Sequence, residues 1–437
     1  MTDLSTEVRV AACTQAYSQN SESAHPVSHV IYLALVIGAA FVLYWGSSFI
    51  LDARKATTHF GADSWYYAEL AGGDIIRRVA SNYYLDRVAR FHPTTVFMAA
   101  AWMQVFGPLT QWIASLYLLK AMFAATGAVG VWAATSAFAA VVPRGYARLL
   151  GIIYAVSLGV WYFASIEESK IVTASLSALY IATYLHVRKT WTVRGAVLLT
   201  GILLVACLNE MVSGFLVIIP MVDTFMRYGW DWRQGRWITL HALAGPIAFA
   251  IIEGVIFGRL AGVSHPEGTS HFGMLIFYIS KNNYSLDNIY SFVINWLFFN
   301  IAAPSRDASY AVPAWANYKG YFEPSLINYF TSPASVGVAA LFCATVVASA
   351  LPRCRAEKSG TMAAIRWALA AYVMLRGLFF IVFNPYEPLL FSPAVTLALM
   401  LMMAIPFAAS KLPAKHALLG AFAVLLFIAN GAFIICR

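Results

Sequence analysis

Three acidic positions are where this sequence could do chemistry: Asp63, the pair Glu167-Glu168, and Glu387. Asp63 stands in Thr58-His59-Phe60-Gly61-Ala62-Asp63-Ser64-Trp65-Tyr66-Tyr67-Ala68-Glu69-Leu70, among aromatics and soon after a hydrophobic run. Glu167 and Glu168 lie in the short connector Ser165-Ile166-Glu167-Glu168-Ser169-Lys170, and Glu387 in Asn384-Pro385-Tyr386-Glu387-Pro388. Ionisable groups close to hydrocarbon are costly and tend to mark function. Each also has a plainer alternative. Asp63 suits the N-cap of a helix from Ser64 to Leu70, Glu167-Glu168 the polar turn of a helical hairpin, and Glu69, nearly two turns past Asp63, a solvated position. A carboxylate in such a place can take a proton from a hydroxyl or amine, while cations stabilise a departing phosphate. Arg77, Arg78, Arg87, Arg90, Lys170, Arg306 and Lys319 are expected on the same side as these acids.

The elements that must position these groups are read from the hydrophobic runs. Of 437 residues, 60% are hydrophobic and 11% charged, against roughly 25% charged in soluble domains. Many apolar runs approach or exceed the roughly 20 residues that cross a bilayer as helix, so the chain is expected to be an all-α polytopic membrane protein. A β-barrel would show short alternating segments instead. Beyond a polar N-terminal tail, residues 1–26, residues 27–437 form one integral domain. Spans are expected near 27–51, 110–141, 149–164, 171–186, 195–209, 211–226, 237–258, 334–351, 362–383, 388–409 and 415–435, about eleven in all. The short run 94–106 is expected to be re-entrant or interfacial.

The net charge of +9 is no nucleic-acid signal, because most Lys and Arg fall in short connectors between runs. Basic connectors mark the cytoplasmic side, which puts the N-terminus inside, the C-terminus outside and the acidic connectors out. Residues 52–92 and 259–333 then form large external loops. One count runs against this orientation: the first loop carries Arg54, Lys55 and four further arginines, and if 94–106 spans, the N-terminus flips. Within that loop Ile76, Val79, Tyr83, Tyr84, Val88 and Phe91 share one helical face, and Asp74, Arg77, Arg78, Ser81, Asp86, Arg87 and Arg90 the other. That is the pattern of a basic amphipathic helix in the membrane interface, or of one packed on protein.

Other candidates carry less. His92 is expected to cap or pack at a helix start, with Pro93 in the first turn. His59, His265 and His271 lack metal-ligand spacing. Glu210 is expected to be a local hydrogen-bond partner, and Glu253, inside an apparent span, to pair within the bundle or to line a substrate cavity. The five cysteines form no CxxC pair, and the 13 Trp and 23 Tyr fit interfacial belts.

The stretch Gly61-Ala62-Asp63-Ser64-Trp65-Tyr66-Tyr67-Ala68-Glu69-Leu70-Ala71 resembles the first external loop of GT-C glycosyltransferases, most closely the protein O-mannosyltransferase and aminoarabinose-transferase branch. The His92-Pro93 opening of a helix ending in Val105-Phe106-Gly107 is similar to the same branch. So is an acid after the short fourth span, here Glu167 or Glu168. The likeness covers about residues 1–230, with Asn384-Pro385-Tyr386-Glu387 similar to a late external motif. Ser64 departs from it where many relatives have a second acid, and Glu167-Glu168 where Asp is usual. No domain is expected after the last span.

The resemblance implies a GT-C-like bundle and a polyprenyl-phosphate-linked sugar donor. It also implies a lipid, glycan or protein acceptor, and inversion at the anomeric carbon on the outer, periplasmic face of a bacterial-type inner membrane. Asp63 would be the base. Glu167 or Glu168 would hold hydroxyls, or a divalent metal (Mg or Mn), which the resemblance permits without requiring. Glu69, Arg77, Arg78, Arg87, Arg90, His92, Lys170 and Glu387 complete the expected substrate-binding set. The competing expectations are a transporter or flippase, an O-antigen-polymerase-like enzyme, and a non-catalytic membrane subunit.

Overall fold

The computed structural model describes residues 26–53, 67–72, 91–188, 190–229, 232–257, 276, 279–280, 284–304, 310–311, 323–324, 329–350, 360–385, 388–410 and 412–436. Asp63, Arg77, Arg78, Arg87, Arg90, Glu387, His59, His265, His271, Arg306 and Lys319 lie outside them, as does the amphipathic segment expected over 74–90.

The described residues are helical, apart from a two-residue antiparallel pairing of Tyr310–Ala311 with Glu323–Pro324 in the second expected loop. Helix α1 runs Pro26–Ala53 and a 3₁₀ turn spans Glu69–Gly72. Then come α2 (Pro93–Phe106), α3 (Ser115–Ala139), α4 (Arg144–Val156), α5 (Leu158–Ala164), α6 (Ser169–Val187) and α7 (Val193–Asn209). A 3₁₀ turn, Met211–Val217, leads into α8 (Ile218–Tyr228), and α9 (Trp232–Ala250) continues as the π turn Ile251–Phe257. Inside the second expected loop lies α10 (Leu286–Ile294), extended by the π turn Asn295–Phe299. The chain closes with α11 (Pro333–Ala350), α12 (Gly360–Phe383), α13 (Pro388–Phe391), α14 (Thr396–Ala409) and α15 (Lys415–Cys436).

Among the described residues, five segments are long and apolar enough to cross a membrane, within α1, α3, Met211–Tyr228, α12 and α15. The pair α4 and α5, bent by 56°, makes a sixth if it is one broken span. Shorter apolar helices stand where the runs at 195–209, 237–258, 334–351 and 388–409 fall. The run 171–186 is α6, which is sheathed by protein for most of its length. A helix shielded from lipid can carry Thr173, Ser175, Ser177, Tyr180 and Tyr184 without exposing polar groups to hydrocarbon. Its contact with α3 is close. A Cβ on Gly130 would come within 2.6 Å of the Ser175 hydroxyl, which itself donates to the Thr126 carbonyl at 2.8 Å. Glycine permits that approach.

The break between α4 and α5 falls at Ser157, whose backbone is extended. The amides it frees, Leu158 and Gly159, donate to the carbonyls of Ile301 and Asn300 at 3.1 and 2.8 Å. Asn430 of α15 closes the junction. Its Nδ2 donates to the Val156 and Ile301 carbonyls at 2.7 and 2.8 Å, and its Oδ1 accepts from the Ala303 amide at 2.8 Å. Buried backbone groups must be satisfied in this way.

Alternating helix ends gather at two poles. At one, Arg188 ends α6 and, with Arg227 of α8, clamps Asp223, while also donating to the Thr361 carbonyl at the start of α12. Arg148 of α4 lies over Tyr32 of α1 at this pole. Basic connectors expected on one side of the membrane are therefore together. The opposite pole carries the ends that bear the candidate site.

Asn430→Ala is expected to remove the side-chain partner of the Val156 carbonyl and the Ala303 amide, leaving the Ile301 carbonyl with Leu158 alone, and a buried group left unmatched costs about 1–3 kcal/mol. Its thermal unfolding in detergent should begin well below that of the parent. An unchanged midpoint would show that the junction does not depend on this side chain.

Candidate functional site

The second pole is built from the C-terminal end of α1, the first turns of α2, α3 and α6, the α5–α6 connector, the junction after α7, and the later half of α12. Asp52 ends α1, and Lys120 stands one and a half turns into α3. Glu167 occupies the connector because α5 stops at Ala164 and the chain needs four residues to turn into α6. Lys120 is fully buried and pairs with Asp52; its Nζ also lies 3.6 Å from Glu167 Oε1. Glu167 Oε2 is buried without a hydrogen-bond partner among the described residues. Burial pushes the Glu167 carboxyl up to about 7, against the lowering pull of Lys120. Such a group exchanges its proton near neutral pH, the property wanted in an acid or base.

Glu168 is also buried and accepts from the Ser169 hydroxyl at 3.0 Å, while sitting at the N-cap of α6 without capping it. Both acids lie in the turn between α5 and α6, as the plainer alternative has it, and both are buried there, at 3% and 2% exposed. Burial is possible because Asn209, Thr95 and Thr173 tie the neighbouring ends together. Asn209 Oδ1 accepts from the Thr95 hydroxyl at 2.6 Å, and its Nδ2 donates to Thr173 Oγ1 at 2.8 Å and to the Ser169 carbonyl at 3.3 Å.

His92 sits at the N-cap of α2, with Pro93 opening the helix as expected, and makes no side-chain cap. Its Nδ1 donates instead to the Asn209 carbonyl at 2.6 Å. The Tyr67 ring lies 6.3 Å from the rings of both His92 and Phe123, so the chain re-enters this pole just after the stretch containing Asp63. Glu69, two residues on, is exposed at the start of its 3₁₀ turn.

Lys170 does not face solvent. It is buried against Glu210, 3.4 Å away. Glu210, expected to pair locally, instead has a side chain that joins helices distant in sequence: one oxygen faces Lys170 and the second takes Arg376 Nη2 at 2.6 Å. Burial alone would raise the Glu210 carboxyl; Arg376, Lys170 and His92 overcome that and hold it at about 2. The structure thus brings together Glu167, Glu168, His92 and Lys170, with Tyr67 beside His92. Three residues escaped the sequence reading: Asp52, taken as the first residue of a loop, and Lys120 and Arg376, lost inside apolar runs. A lone cation within such a run was the available signal.

Among the described residues no group of three or more His, Cys, Asp or Glu is placed to hold a metal ion. The carboxylates of Asp52 and Glu167 already share the Lys120 ammonium.

Fold and site together define an α-helical membrane protein with a buried charge cluster at one end of its bundle. No family model and no curated protein matches this chain.

Lys120→Met would strand two carboxylates, and breaking a buried pair this way costs about 3–5 kcal/mol. Lys120→Met with Asp52→Asn should recover part of that loss in thermal unfolding; no recovery would break the pairing. Glu167 also sets a pH dependence. Its folded value lies above the ordinary 4.5, so its proton stabilises the fold at low pH. That contribution is lost as pH rises through about 7. Glu167→Gln should therefore flatten the fall in melting temperature between about pH 5 and pH 8; an equal slope in parent and variant would refute it.

Proposed function

We propose that the protein is a membrane glycosyltransferase of the GT-C type. It moves a sugar from a polyprenyl-phosphate donor to a lipid, glycan or protein acceptor at the outer face of a bacterial-type inner membrane, through a bundle of about eleven spans. One observation carries the proposal. A buried carboxyl pushed up to about 7, that of Glu167, lies at the pole where Asp52 and Tyr67, which flank the stretch holding Asp63, are both packed.

In this reaction the acceptor oxygen or nitrogen attacks the anomeric carbon from the face opposite the phosphate. The bond between that carbon and the phosphate oxygen breaks with inversion, polyprenyl phosphate leaves, and the acceptor proton passes to the Asp63 carboxylate. Glu167 and Glu168 hold hydroxyls of sugar or acceptor. His92 is held at this pole through its Nδ1, which donates to the Asn209 carbonyl. Arg77, Arg78, Arg87 and Arg90 draw the anionic donor to the protein, and Glu69 and Glu387 contribute to substrate binding.

A second reading, lipid or solute translocation, is favoured by the α4–α5 break, since interrupted helices line the paths of many transporters. The two separate on one substitution. Asp63→Asn is expected to reduce transfer at least a hundredfold, within the usual contribution of a general base, with expression and melting temperature unchanged. Glycan and lipid mass spectrometry of cells with and without the gene supplies the donor–acceptor pair for that assay. Near-parental transfer by Asp63→Asn would remove the base. Loss of a translocated species from the same cells, with no glycan altered, would favour transport.

A further inference from the structure

Two buried cations share one carboxylate beneath the α7 junction. Arg376 is fully buried, and Lys170 and Glu210 are each 6% exposed. Glu210 spends one oxygen on each cation. Behind them the rings of Phe380 and Phe391 stack with centroids 4.1 Å apart. Lys170 Nζ stands 4.7 Å from the centre of Phe391, and the Arg376 guanidinium 5.2 Å from that of Phe380. Arg376 Nε and Nη1 are buried and make no hydrogen bond among the described residues. The Tyr372 hydroxyl lies within hydrogen-bonding reach of the guanidinium and donates to the Ala394 carbonyl at 3.4 Å.

Two positive charges thus stand against one negative among the groups in direct contact, in a setting walled by apolar rings. Leaving a charge and part of a guanidinium's donor capacity unmatched in such surroundings is costly. An oxyanion would answer both deficits, and a guanidinium fork with a neighbouring ammonium matches phosphate oxygens. Arg376 lies seven residues before the end of α12, about 10 Å down the helix at 1.5 Å per residue. A phosphate carried on a hydrocarbon chain can be delivered to that depth from the bilayer more readily than a free ion can be drawn from water.

We propose that Lys170 and Arg376 form a seat for a lipid-borne phosphate, with Glu210 as the internal anion that holds the seat when it is empty. The proposal rests on the transferase reading for the role of that phosphate, and gives its final binding to Lys170 and Arg376 instead of to Arg77, Arg78, Arg87 and Arg90. Glu210 competes with the ligand, so removing its charge should strengthen binding.

The test uses the full chain in dodecyl maltoside, titrated with dodecyl phosphate and, separately, with inorganic phosphate, and followed by thermal shift. Dodecyl phosphate should stabilise the parent saturably. Arg376→Gln should weaken its apparent affinity about tenfold or more, the loss of one charge-assisted hydrogen bond, and Glu210→Gln should tighten it. Inorganic phosphate acting as well as dodecyl phosphate would overturn the lipid source. Absence of any shift in the parent, or equal affinities in parent and variants, would overturn the seat. If Arg376→Gln does not fold, Glu210→Gln decides: tighter binding supports the seat, and unchanged or weaker binding overturns it. A purely structural network would lower the melting temperature of both variants without that increase in affinity. Binding with these signs in a protein that transfers no sugar would sink the transferase reading and leave the seat standing. Transfer without such binding would do the reverse.

Discussion

Lys120 and Arg376 stand inside apolar helices where water does not reach them, and the bundle depends on carboxylates brought to them from other helix ends. Asp52 and Glu167 meet Lys120, and Glu210 meets Arg376 and Lys170. None of these acids is on the same helix as the cation in α3 or α12, so neutralising the cations fixes how α1, α3, α6, α7 and α12 sit together. A buried ion pair adds little stability over apolar packing of the same shape, yet losing one partner is severe. Such pairs act as constraints on geometry more than as glue.

The two poles differ in how fully their acids are engaged. Asp223 accepts from Arg188 at 3.0 and 2.5 Å and from the Tyr184 hydroxyl at 2.5 Å, with Arg227 3.0 Å away. That carboxylate is saturated and serves as a clamp across α6, α8 and the start of α12. Among the described residues, Glu167 keeps one oxygen without a hydrogen-bond partner, beside a cation already committed to Asp52. A carboxyl with unspent hydrogen-bonding capacity is available to a substrate, whereas a saturated one is not. The contrast separates scaffolding charge from working charge without any appeal to position in the sequence.

Much of the helical plan was readable because hydrophobic run length is set by local composition. The expected runs at 27–51, 110–141 and 415–435 appear as Pro26–Ala53, Ser115–Ala139 and Lys415–Cys436. The break within 149–164 was not readable. Ser157 has no breaker signal of its own, and the groups that satisfy the freed amides, Asn300 and Ile301, come from distant sequence. The pairing of Lys120 with Asp52 and Glu167 was hidden for the same reason, since nothing local to Lys120 names its partners. Glu167 and Glu168 could be picked out by type and place, but their burial depends on the Asn209–Thr95–Thr173 tie. That tie exists only once α2, α6 and α7 have docked.

Two carboxyls of the same pole are driven in opposite directions, and this divides the labour between them. Glu210 is held near 2 by two cations and His92 despite its burial, so it stays ionised across the physiological range and can only act as fixed charge. Glu167, with a single shared cation, is raised to about 7 and can be found in either state. When environments push neighbouring acids apart in this way, proton exchange belongs to the one near neutrality and electrostatic holding to the other. In the proposed reaction, where Asp63 takes the acceptor proton, hydroxyl recognition would fall to the α5–α6 connector and the recognition of anions to the α7 junction. A substrate with both a hydroxylated ring and a phosphate has the chemistry to engage the two together.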